Sequence, residues 1–256
     1  MDQPNVRDEM SRATTTVPVA HSVELPTTQT NGIHHLAIST GDMKAQLEFF
    51  TDVLGAELKA LYWMHGVAET FHGFVKLNDH SYLAFVQGPK TAGIEPIMGV
   101  SHAGSAANPS APGTMQHVAF NVDTLDDLLA MRDRIRDRGI NVFGPLDHGM
   151  CHSIYFAGPE HLALEVATSA VPIDERAWID PEVVGLLGID AQLLATFVAP
   201  KTFDSRHGTV PQPPIDMHRP QLAMPEPALV AIMSMADADV TARLSQSDPP
   251  VARPPL

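Results

Sequence analysis

Apolar residues along this 256-residue chain follow two rhythms, and the order of those rhythms repeats. Residues 33–39 read as a strand; Met43, Leu47, Phe50 and Leu54 then return at the spacing of one helical face. Asp42 stands where a helix N-cap belongs, and Gly55 where a chain leaves a helix. Three strands are predicted next, over 57–63, 68–77 and 81–87. A Gly/Ala/Ser/Pro segment, 88–113, precedes a second cycle. It has a strand over 115–122, a cap from Thr124 with Asp127, and a helix through Leu125, Leu128, Met131 and Ile135. Gly139 ends that helix, and strands follow over 141–143, 151–156 and 162–167. The two βαβββ units are displaced by about eighty residues, so His35 matches His117 and Gly55 matches Gly139.

The flanks break this pattern. Residues 1–30 are polar, rich in Thr, Ser, Pro and Val, and read as a flexible arm with a short strand near 17–25. They lack a cationic start followed by an apolar run, so no signal peptide is expected there. From Val171 onward, prolines from Pro172 to Pro227 interrupt regular structure. Short helices fit at 181–187 and 191–198, a longer one near 227–244, and 245–256 reads as disordered. Trp178, Leu186, Leu187, Leu194 and Phe197 are expected to pack on the domain or on a partner subunit.

Composition removes several function classes. Sixteen Lys and Arg against 30 Asp and Glu give a formal charge of -14, which leaves no basic footprint for nucleic acid. The basic cluster from Arg132 to Arg138 is interleaved with Asp133 and Asp137, as on a wet helix face. No apolar stretch has membrane-spanning length, so no membrane partner is expected. Cys151 is the only cysteine, which excludes an intramolecular disulfide framework and a thiolate-rich zinc site. It also fits a reducing, cytoplasmic compartment.

Thirteen histidines carry more information. His35 and His117 occupy equivalent first strands, and strand alternation puts His35, Ala37 and Ser39 on one face and His34 on the other. Glu165 lies in the apolar run Leu162-Ala163-Leu164-Glu165-Val166-Ala167, where an unpaired carboxylate is costly to bury. A divalent metal held by His35, His117 and Glu165 accounts for all three. The plainer alternatives are histidines bonded to backbone carbonyls and a glutamate that faces solvent or pairs with a cation. Two imidazoles and one carboxylate make the facial set of non-haem Fe(II) oxygenases, and the same donors also suit Mn or Zn.

The segments HHLAISTGDM (34–43), FFTDVLGAEL (49–58), QHVAFNVDTLDDL (116–128) and SIYFAGPEHLALEV (153–166) resemble the vicinal oxygen chelate superfamily. That superfamily includes glyoxalase I, extradiol dioxygenases, fosfomycin- and bleomycin-resistance proteins, and epimerases. The resemblance covers His35 to Val166 and neither flank. It implies an α+β fold over 31–170, with modules of about 31–90 and 114–170 forming a cupped mixed sheet around a metal site. A Pro-rich C-terminal extension, 171–256, follows. The family's ligands fall on His35, His117 and Glu165. Glyoxalase I has a fourth protein ligand where this chain has Ala84, so the pattern is nearer to extradiol ring-cleavage dioxygenases. Tyr155, ten residues before Glu165, matches a tyrosine that contacts substrate oxygen in those enzymes; its alternative is an aromatic packed against the helix.

His148 and His152 precede that strand in a loop with Gly144, Pro145 and Gly149, and His148 is the better placed to reach over a metal. His65, His72 and His80 are weaker candidates. Cys151 and His152 are adjacent, so a strand would point them to opposite faces. The implied activity is an extradiol-type dioxygenase acting on a catechol-like or enediol molecule. Fe(II) is the favoured cofactor, with Mn, Zn or Ni as alternatives, and dioxygen is the second substrate. The expected catalytic residues are Tyr155, orienting a substrate oxygen, and His148, moving protons. A glyoxalase-like lyase, isomerase or epimerase is one alternative, and a non-catalytic small-molecule-binding protein another. The unexplained apolar groups of the extension point to a homodimer.

Overall fold

The computed structural model describes residues 29–204, 208–249 and 252–254. The expectations for the N-terminal arm fall almost wholly outside those residues. Residues 29, 201–204 and 208–210, the described part of one compact unit, hold no regular element. The other unit spans 30–200 and 211–256 and contains every helix and strand found among the described residues.

Two four-stranded mixed sheets form the α+β domain. The first contains β1 (His35–Ser39), β2 (Glu57–Trp63), β3 (Phe71–Asn78) and β4 (Ser81–Gln87), in the order β1-β4-β3-β2. The second contains β5 (Val118–Asn121), β6 (Phe143–Asp147), β7 (His152–Ala157) and β8 (Ala163–Thr168), in the order β5-β8-β7-β6. In each, the first strand runs parallel to the last and the remaining pairs are antiparallel.

Each sheet carries one helix, α1 (Met43–Asp52) or α2 (Leu125–Asp137). Asp42 caps α1 by accepting from the Ala45 N–H at 3.0 Å, and Thr124 with Asp127 forms a reciprocal capping box on α2. Gly55 and Gly139 take φ of +76° and +77° after the helices, where a side chain is disfavoured. Phe50, Val75, Leu83 and Phe85 of the first module and Leu128, Ile135, Ile154 and Leu164 of the second join one buried cluster. Phe50 meets Phe120 across the modules, ring centroids 6.2 Å apart.

Polar contacts reinforce that junction. Arg134 on α2 donates to the carbonyls of Asp52 and Val53, each at 2.8 Å, and so satisfies the end of α1. Glu160, in the turn between β7 and β8, accepts from Thr40 Oγ1, Gly41 N and Gln46 Nε2 at 2.5–2.7 Å. Burial raises the Glu160 pKa, but those three donors outweigh it and hold the carboxyl below its ordinary value.

Several boundaries differ from expectation. β3 starts at Phe71 rather than 68, because Glu69 turns at φ +50°. β6 is Phe143–Asp147 rather than 141–143. It includes Pro145, which has no N–H to donate, and it tolerates this because β6 is the free edge of its sheet. The strand predicted over 115–122 shortens to β5, which leaves His117 immediately ahead of it. The extension contains α3 (Glu175–Trp178), α4 (Pro181–Leu186), α5 (Ala191–Val198), α6 (Glu226–Met233) and α7 (Asp237–Leu244). The single long helix expected at 227–244 is thus two, broken over 234–236. Of the apolar residues expected to pack there, Trp178 lies over Gly149 and Leu194 is half-buried, whereas Leu186 is 81% and Leu187 68% exposed. Beyond α7, Arg253 donates to Glu69 at 3.0 Å and sits over the Trp63 ring. Among the described residues, no helix is long and apolar enough to cross a membrane.

Candidate metal centre

Strand β8 is interior to its sheet, flanked by β5 and β7, and this position buries Glu165 to 5% exposure. Its register partners are Ala119 on β5 and Tyr155 on β7, so all three residues lie in one row across the sheet. His117 directs Nε2 at Glu165 Oε2, 2.9 Å away. Two donor atoms bound side by side to one metal at about 2.1 Å each stand roughly 3 Å apart, so this pair fits adjacent positions on a divalent ion. His117 Nδ1 is engaged by Gln116 Oε1. Gln116 Nε2 in turn reaches Asn108 O at 2.9 Å and Ser105 O at 3.2 Å in the linker between the modules.

Tyr155 Oη lies 3.0 Å from His148 Nε2, and the Tyr155 ring sits edge-on to His117 with centroids 6.5 Å apart. Burial is the main cause of a raised Tyr155 pKa; a bond from Ser153 opposes it and the nearby Glu165 adds to it. His117, His148 and Tyr155 form the polar part of a cavity of about 480 Å³. Its remaining wall is mostly apolar: Phe143 and Leu146 from β6, Phe156 from β7, Ala163 and Leu164 from β8, and linker residues 104–107, of which Ser105 is polar.

His35 is not part of this cavity. It is exposed on β1, with Nδ1 2.9 Å from His34 Nδ1 and its ring against Phe74. Among the described residues, no three His, Cys, Asp or Glu side chains stand close enough to hold a metal ion. The structure therefore brings His117 to Glu165, and His148 to Tyr155, but does not bring His35 to them. The expected convergence of matching faces within one chain is not found. β1 and β5 are outer strands of separate sheets, and no ladder joins those sheets among the described residues. The faces carrying His35, Ala37 and Ser39, and Ala119 and Asn121, are exposed.

The remaining candidates lie elsewhere. Ala84 is fully buried between its register partners Ala37 and Phe74 and offers no donor. His152 pairs with Asp147 at 3.7 Å, and Cys151 Sγ is 3.5 Å from Ser153 Oγ; neither residue lines the cavity. His72 bonds Tyr62 Oη at 3.3 Å, with His65 beside the same tyrosine, on the first sheet. Burial first, and then His35 and His65, lower the His72 pKa. Gln116 and the linker wall escaped the sequence reading. The available signal was an amide directly beside a candidate ligand, after a run of small residues able to lie close to a cavity.

Residues 32–166 match the model of the Glyoxalase/Bleomycin resistance protein/Dioxygenase superfamily. The chain is 27% identical over 161 residues to biphenyl-2,3-diol 1,2-dioxygenase 2 of Rhodococcus globerulus, covering 62% of this chain and 75% of that protein. It is 24% identical over 157 residues to biphenyl-2,3-diol 1,2-dioxygenase 3 of the same organism, covering 60% and 73%. Among solved structures, a glyoxylase/bleomycin resistance protein/dioxygenase domain from Frankia sp. EAN1pec aligns with a TM-score of 0.44 at 13% identity, over 55% of this chain and 99% of that one.

Proposed function

Because the chain belongs to the glyoxalase/bleomycin resistance protein/dioxygenase superfamily, we propose that it is a metal-dependent extradiol-type dioxygenase of catechol-like molecules. The observation that carries this reading is a largely apolar cavity of about 480 Å³ lined by His117, His148 and Tyr155, with His117 paired to the buried Glu165 and His148 to Tyr155. Likeness to two biphenyl-2,3-diol dioxygenases supports the same substrate class. His117, Glu165 and His35 are the proposed ligands. Fe(II) bound there would act as a Lewis acid toward adjacent substrate oxygens and offer a position for dioxygen.

The protein's own groups do the rest. Phe143, Leu146 and Phe156, which line the cavity, would pack against the body of an aromatic ring. Tyr155 orients one substrate oxygen through its hydroxyl. His148, hydrogen-bonded to that hydroxyl, takes up or returns a proton there.

The reading includes a homodimer in the cytoplasm. One chain leaves His35 apart from the His117–Glu165 pair, with the faces of β1 and β5 uncovered. A second copy laid across them would contribute His35 as the third donor. The test is metal content after anaerobic purification, together with oxygen uptake on catechols, for the wild type and His117→Ala. Stoichiometric iron and oxygen uptake, both lost in the variant, are expected. Zinc, manganese or nickel with no oxygen uptake would favour isomerase or lyase chemistry instead, and ligand binding that survives His117→Ala without metal would favour a binding protein.

A further inference from the structure

The geometry around Gln116 points to a positioning residue that fixes the tautomer of His117 and ties it to the linker wall of the cavity. The two ends of the side-chain amide are chemically distinct. One end faces two backbone carbonyls, Ser105 O at 3.2 Å and Asn108 O at 2.9 Å. Only the amide NH2 satisfies two acceptors, so that end is nitrogen. The other end, meeting His117 Nδ1, is therefore the carbonyl oxygen, which accepts and does not donate.

The consequence passes to the imidazole. Nδ1 must carry the hydrogen that Gln116 Oε1 accepts, and a neutral imidazole has only one N–H. In the neutral ring, the form that can ligate, Nε2 then presents a lone pair to Glu165 Oε2 at 2.9 Å. Two lone pairs at that distance attract nothing by themselves, and a cation in front of both atoms turns the contact into a favourable one. Gln116 thus holds His117 in the form able to ligate. This part rests on the metal-centre reading above.

The same amide holds the linker beside the cavity. Residues 104–107 form part of its wall, and among the described residues Gln116 Nε2 bonds carbonyls at both Ser105 and Asn108. Movement of that wall on ligand entry is transmitted through one rigid amide plane to the His117 ring.

Two variants of the full-length protein separate the two ends. Gln116→Leu removes both; Gln116→Glu keeps an acceptor for Nδ1–H and loses the donors to the linker. Ring 15N shifts of His117 in the metal-free protein are expected to report Nδ1–H in the wild type and Gln116→Glu, and to move toward Nε2–H in Gln116→Leu. Cobalt(II) affinity, followed by visible absorption, is expected to fall about 10- to 100-fold in Gln116→Leu and to stay within about threefold in Gln116→Glu. Amide exchange over 104–108 should quicken in both variants. An Nε2–H ring in the wild type, or ring shifts and cobalt affinity unchanged in Gln116→Leu, overturns the proposal. A wild-type Nδ1–H ring that shifts in Gln116→Leu while no variant binds cobalt overturns the metal reading and keeps the tautomer assignment.

Discussion

His148 Nε2 and Tyr155 Oη are 3.0 Å apart, which links the loop after β6 to the strand beside Glu165. A hydroxyl bonded to an imidazole and next to a cavity is arranged to hold a substrate oxygen while a proton moves. Tyr155→Phe is expected to lower kcat on a catechol roughly 100-fold, with metal content unchanged. His148→Ala should lower it by a similar factor, and the double variant should lose little more, because the two groups act as one unit. Oxygen-uptake kinetics check this. Fully multiplicative losses would separate the two residues.

Glu165 is 5% exposed and faces His117. Glu165→Gln keeps its size and removes the anion, so metal affinity is expected to fall at least about 10-fold while the fold persists. Metal analysis and circular dichroism together check both halves of that statement. Retention of metal by this variant would place the site elsewhere.

Much of this arrangement was legible from side-chain chemistry. Asp42 and the Thr124/Asp127 pair marked both helix starts because caps act through local backbone N–H groups. Glu165 stood out because a carboxylate in an apolar strand needs a partner. Pro145 hid β6, since the sequence does not say that this strand has a free edge. The linker wall was invisible because Gly104, Ser105, Ala106 and Ala107 carry no periodicity. The relation of His35 to His117 depends on how two sheets pack around one core, and strand alternation is silent on that.

Glu160 bridges the modules through three accepted hydrogen bonds, and its folded-state pKa lies below its ordinary value: burial raises it, but the donors from Thr40, Gln46 and Gly41 together lower it by more. A depressed carboxylate contributes stability above its unfolded pKa and loses it as pH falls through the folded pKa. Urea midpoints should therefore drop on acidification through and below the ordinary carboxylate range, and less steeply in Glu160→Gln. At neutral pH that variant is expected to lose only about 1 kcal/mol, because the side chain is partly exposed.

Phe50 is fully buried and touches both Phe85 and Phe120, so it joins the two modules. Phe50→Ala is expected to cost about 3–5 kcal/mol through lost burial and the cavity left behind. Denaturant titration should still show one transition, because a single buried cluster spans both modules. Two separate transitions would mean that the modules fold independently.

The proposed role of His35 makes a prediction that a single-chain site does not share. His35→Ala and His117→Ala should each be inactive, since each removes a ligand. If His35 acts across a dimer, a mixed dimer of the two variants contains one site that receives His35 from the His117→Ala chain and His117 with Glu165 from the His35→Ala chain. Statistical mixing makes half of the dimers mixed, each with one intact site of two, so co-refolding should restore about a quarter of wild-type activity. A site built within one chain restores none, because every chain in the mixture lacks a ligand. Recovered oxygen uptake therefore assigns His35 to the partner's pair, and its absence, with both variants folded and dimeric, removes His35 from that role.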